Sequence, residues 1–168
     1  MKIEDVINTA IKMEEEGYAF YRKAENRTAS KLGKAMFDQL AFDEVKHKRM
    51  LERMRDSVPQ DAKDMEVPLA KERLKSVFAD AKANFNETIS STADDIEALS
   101  FAMTKEKESH DMYRGAAQNS TDPAVKAAFN RMALEEDHHY EILQETRYYL
   151  EQYNNWSIWE EGGPIEGG

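Results

Sequence analysis

Apolar residues recur along this chain at alternating steps of three and four, the spacing of one face of an α-helix. From about Ile3 to Thr28 the stripe reads Ile3, Ile7, Ala10, Glu14, Gly17, Tyr21 and Ala24. A turn around Ala29-Ser30-Lys31, with Ser30 suited to cap the next helix, predicts a second helix over about Lys31 to Arg55. Its stripe is Phe37, Leu40, Glu44, His47, Leu51 and Met54. So short a link makes the two helices an antiparallel hairpin. The pattern then breaks. Pro59 and Pro68 frame a polar stretch, and Leu74, Val77, Phe78 and Ala81 suit a shorter amphipathic helix over about Leu69 to Phe85. Thr92 and Asp95 have the spacing of a capping box, with Asp in place of Glu. A third helix over about Ala93 to Ala117 carries Leu99, Ala102, Glu106, Ser109, Tyr113 and Ala116 on one face. Thr121-Asp122-Pro123 then caps a fourth, running to about Tyr153 with Phe129, Met132, Glu136, His139 and Leu143 inward.

Each of these faces is apolar except in its middle. A carboxylate facing a core is costly unless it is paired, hydrogen-bonded or bound to a metal. One Glu-x-x-His arises easily by chance in a charged helix, but this chain contains it twice in register. Glu106, Glu136 and His139 lie 92 positions after Glu14, Glu44 and His47. The same offset pairs Tyr21 with Tyr113, Arg22 with Arg114, Phe37 with Phe129, Ala41 with Ala133 and Leu51 with Leu143, without a gap. The chain is a duplicated helix hairpin. The expected fold is therefore all-α, a four-helix bundle of two hairpins, about 3–55 and 93–153, joined by a crossover over 56–92 that contains the short extra helix. A tail over 154–168 follows.

Composition narrows the chemistry. The 168 residues are enough for one domain with a real core, and 33% of them are charged. A net charge of −10 with no basic patch argues against nucleic acid and is compatible with attracting cations. There is no cysteine, so no disulfide, thiolate nucleophile or thiolate-held metal is available in these residues. The start has no signal-peptide pattern, and no apolar run reaches membrane-spanning length, which makes a cytoplasmic location the expectation. The competing account of the inward polar residues is a set of buried salt bridges. Four carboxylates have only two imidazoles to answer them, whereas two divalent cations balance them in charge.

One Glu from each of two helices and a Glu-x-x-His from each of the others is the ligand pattern of di-iron carboxylate bundles. With the Glu-to-Tyr spacing of seven in both halves and the tail from Trp156 to Gly168, the chain resembles the rubrerythrin-type members of the ferritin-like superfamily. The resemblance covers about Ile3 to Tyr153. It implies two iron ions bridged by Glu44 and Glu136, with Glu14 and Glu106 as terminal ligands and one histidine, His47 or His139, on each. Manganese shares these ligands. It also implies a non-haem di-iron oxidoreductase that reduces H2O2 or O2, and a homodimer. Two departures matter. Where rubrerythrins carry a further carboxylate one turn along the third helix, this chain has Ser109. They also carry a four-cysteine rubredoxin module, so electrons here are expected from a separate donor protein such as a rubredoxin. A ferroxidase handling Fe2+ and a bundle that binds metal only as a scaffold are the alternatives.

Other features have plainer readings beside these. Tyr21 and Tyr113 suit either core packing or hydrogen bonding to the site. Glu135-x-x-His138 repeats the motif but sits about 100° off the inward stripe, which reads as an exposed face. His110 aligns with Tyr18 and reads as a surface group or an outer neighbour of the site rather than a ligand. The nine methionines read as core filler. Tyr148, Tyr149, Trp156 and Trp159 suggest an aromatic end that packs over the bundle or onto a second subunit. The long connection between hairpins makes exchange between subunits geometrically cheap.

Overall fold

The computed structural model describes residues 2–28, 31–59, 63 and 95–153. Four long helices and no strand are found among them: α1 (Ile3–Arg27), α2 (Lys31–Ser57), α3 (Asp95–Asn119) and α4 (Pro123–Tyr153). The cap proposed at Ser30, the crossover helix, the Thr92 capping box and the aromatic tail beyond Tyr153 lie outside the described residues.

Local chemistry explains the helix ends. The Lys2 N–H donates to the Asp5 carboxylate at 3.3 Å, covering a donor at the start of α1. Thr28 takes extended dihedrals while its N–H still bonds the Ala24 carbonyl, which closes the last turn. Asp122 is the clearest cap: its Oδ1 accepts from the N–H of Ala124 at 2.8 Å and of Val125 at 3.0 Å. Pro123 then sits at the first helical position, where the N–H it lacks would have no partner anyway.

α1 lies along α2 and α3 along α4, with α1–α3 and α2–α4 contacts joining the two hairpins. The inward faces form two apolar layers. One takes Ile3 to Ile11 of α1, Leu51 to Val58 of the α2 end, Met112 to Ala117 of α3 and Val125 to Ala133 of α4. The other takes Phe20 to Ala24, Phe37 to Ala41, Leu99 to Met103 and Leu143. Burying each large side chain of these layers contributes about 1.5–3 kcal/mol. On every helix the polar residues of the motif fall between the two layers. The duplication shows in the packing: Tyr21 stacks on Phe37 with centroids 6.2 Å apart, and Tyr113 on Phe129 at 5.9 Å. No helix among the described residues is long and apolar enough to cross a membrane.

Candidate metal centre

Six side chains meet between the layers. Glu14, Glu44, His47, Glu106, Glu136 and His139 are each only 2–5% exposed. They form two groups: Glu14, Glu44, His47 and Glu136 in one, and Glu44, Glu106, Glu136 and His139 in the other. Within each group one ligand atom from every residue lies within 4.8 Å of the rest. Glu44 and Glu136 belong to both. The two imidazoles stack across the centre at 5.4 Å between centroids.

The nitrogen and oxygen atoms of these side chains converge on one another. His47 Nδ1 lies 3.3 Å from Glu14 Oε2, 3.2 Å from Glu136 Oε1 and 3.8 Å from Glu44 Oε2. His139 Nδ1 lies 3.5 Å from both Glu44 Oε1 and Glu106 Oε2. Yet Glu14 Oε2, Glu136 Oε1 and both Nδ1 atoms are buried without a hydrogen-bond partner among the described residues. Buried polar atoms left in this way call for a reason, and a bound ion is one. Orphaned lone pairs aimed at common points, drawn from carboxylates and imidazoles, fit a pair of divalent cations of the iron or manganese type.

Without cations the cluster resists its own charges. Burial, and then the Glu44 charge, push the Glu14 carboxyl well above its usual range. Burial and the Glu106 charge do the same to Glu136. Burial works on Glu44 too, but the close approach of Glu14, and of the His139 and His47 rings, outweighs it and holds this carboxylate low. Glu14 and Glu44 thus compete for a proton, and the pair resists losing it. Burial alone would lower both histidines; the surrounding carboxylates, Glu136 and Glu14 foremost for His47, raise it far above its ordinary value. His139 is raised to about 10 by Glu106 and Glu44. The metal-free site answers crowded negative charge by holding protons, the positions that metal would take.

Each tyrosine serves the other hairpin. The Tyr21 hydroxyl donates to Glu106 Oε1, and the Tyr113 hydroxyl donates to Glu14 Oε1. Both phenols are pushed up by burial and by the carboxylate each faces, so they remain protonated donors. Of the two uses open to these tyrosines, the structure shows hydrogen bonding and packing together.

Asp43 is a neighbour that the inward stripe did not single out. Its Oδ2 accepts from Gln39 at 3.0 Å and lies 3.7 Å from His139 Nε2, and its Oδ1 pairs with Lys46. Burial pushes the Asp43 carboxyl up, but hydrogen bonds from Lys46 and Gln39 prevail and hold it low. A carboxylate at the outer nitrogen of a histidine favours one ring orientation. Asp43 sits beside Glu44 but off the stripe, and only the approach of α4 tells it from any surface acid. Glu135 and His138 belong to neither group; Glu135 faces Arg131 at 3.7 Å and His138 is exposed. His110 pairs with Asp111 at 3.2 Å and Asp137 at 3.5 Å, outside both groups.

Comparison with known proteins agrees with this architecture. A family model described as Rubrerythrin matches residues 5–147. A crystal structure from Thermotoga maritima, described as a candidate ferritin-like diiron-carboxylate protein, superposes with a TM-score of 0.68. The two share 23% identity over 88% of this chain and 95% of that one, a likeness of fold. No curated protein matches the chain.

Proposed function

The chain belongs to the rubrerythrin family, and from that premise we propose that it is a non-haem di-iron oxidoreductase reducing hydrogen peroxide with electrons from a separate donor protein. The observation that carries the reading is that Glu44 and Glu136 are common to both ligand groups. If two ions were bound side by side, these two carboxylates would be the residues within reach of both. Glu14 and His47 would help hold one ion, Glu106 and His139 the other. Iron is the metal of this reading, and manganese would fit the same donors.

A pair of redox-active ions supplies, when bound, the two electrons that cleavage of an O–O bond requires. The protein's part is to hold the ligands and control water. Two apolar layers close the centre above and below, so charges inside act at low dielectric. Tyr21 and Tyr113 hold Glu106 and Glu14 by their remaining oxygens, leaving the other oxygen of each carboxylate directed inward. These 168 residues have no cysteine, so no thiolate-held iron within them can pass electrons to the site.

The test is a stopped-flow experiment on anaerobic, reduced, iron-loaded protein mixed separately with H2O2 and with O2. Two irons per chain oxidised far faster by peroxide support the reading. Faster oxidation by O2 with continued turnover of added Fe2+ would make the protein a ferroxidase. Iron bound without either reaction would leave a metal-held scaffold, and failure to bind two irons per chain would remove both the peroxidase and the ferroxidase readings.

A further inference from the structure

Gly17 lies one turn after Glu14 on the face of α1 that meets the metal centre, and its presence there needs a reason. Glycine in a helix interior is less favourable than any residue but proline. Its conformational freedom is not what is used, because Gly17 sits within the regular turns of α1 with no left-handed dihedral. What is used is space. A Cβ built at Gly17 would lie 3.2 Å from Glu44 Cδ and 3.4 Å from both Glu44 Cγ and Oε2. All three nearest atoms belong to one side chain, a carboxylate shared by both ligand groups. The duplication does not repeat this feature, since the residue 92 positions on is Ser109.

We infer that Gly17 is a positioning residue of the metal centre: the bare backbone of α1 at this point lets the Glu44 carboxylate stand between the two ligand groups. A side chain here requires Glu44 to give way by a few tenths of an ångström from the position it now holds. The inference rests on the metal-binding role proposed above. Glycine here sacrifices helix propensity in α1 for the placement of a ligand on α2. A plain packing role for Gly17 would instead make a side chain harmful to the fold itself, with or without metal.

The experiment compares wild type, Gly17→Ala, Glu44→Asp and the double variant, using Co2+ affinity read from its ligand-field absorption and the melting temperature of each metal-free protein. Gly17→Ala should melt at or above the wild-type temperature without metal, because alanine is the better helix former. Its Co2+ affinity should fall about 10-fold or more, the scale of disturbing the outer support of a metal ligand. In the Glu44→Asp background, where the carboxylate has drawn back by one methylene, the same substitution should cost less than about 3-fold, a coupling that a double-mutant cycle isolates. Unchanged affinity in Gly17→Ala, or equal losses in both backgrounds, would overturn the inference. So would a lowered metal-free melting temperature that Glu44→Asp does not restore, which would make Gly17 a packing residue. A wild type that binds no Co2+ would overturn the metal reading, and this inference with it.

Discussion

At the scale of single residues, the site is a balance between burial and charge, and the protons it holds when metal-free have a measurable consequence. Glu14 and Glu136 sit above their ordinary 4.5, so the stability linked to them is lost as pH rises past that value. His47 and His139 sit above their ordinary 6.5, and their contribution, full below 6.5, is lost as pH climbs, for His139 through about 10. Glu44 has the opposite sign: held below 4.5, it contributes above that value and its share is lost on acidification. Chelator-treated protein should therefore melt at progressively lower temperature from about pH 5 toward pH 10, in a calorimetric series. A melting temperature that climbs over this range would contradict the charge pattern described. The tyrosine bonds give a second expectation. Tyr21→Phe or Tyr113→Phe leaves a buried carboxylate oxygen without its donor, at a cost of about 1–3 kcal/mol in denaturant unfolding of the metal-free protein. Metal affinity should fall about 10-fold with it. If neither quantity moves, the rings matter only for packing.

At the scale of elements, the helices are specified by their ends as well as their faces. Asp122 accepts two backbone N–H groups at the start of α4, and Asp122→Ala should cost about 1 kcal/mol in chemical denaturation. Core substitution is a harsher test. Phe129 is fully buried against Tyr113, and Phe129→Ala should cost about 3–5 kcal/mol. Because Tyr113 holds Glu14, the cavity should also weaken metal binding, which titration of the folded variant would register. An Asp122→Ala protein should show no such loss, since its cap lies outside both ligand groups.

At the scale of the whole molecule, metal and fold are linked. Ligands that hold protons when metal-free must release them on loading, so binding should grow tighter with pH and discharge protons into the buffer. Calorimetric titration in two buffers of different ionisation heat would count them. Loading should raise the melting temperature by mass action, and chelation should reverse the gain. Heats that do not depend on the buffer would mean the site is already deprotonated before metal arrives.

The fold and the six candidate ligands were legible in the sequence because both are periodic. A stripe at helical spacing marks which side chains face inward, and a gapless offset of 92 shows that Glu14, Glu44 and His47 recur as Glu106, Glu136 and His139. Burial costs make inward carboxylates improbable without a purpose, so chemistry could be read from pattern alone. What the pattern could not supply was anything across helices or off the stripe. It left open whether Tyr21 and Tyr113 bond the site, and only the crossing of the hairpins sets each phenol on the opposite carboxylate. It passed over Asp43, which becomes a neighbour of His139 only when α4 lies beside α2. It recorded Gly17 as one more residue on an inward face, and only the approach of Glu44 gives its missing side chain a meaning. Periodicity is a property of one helix and is written in the chain; the distance between side chains on two helices depends on how they pack, and that is decided by the tertiary structure.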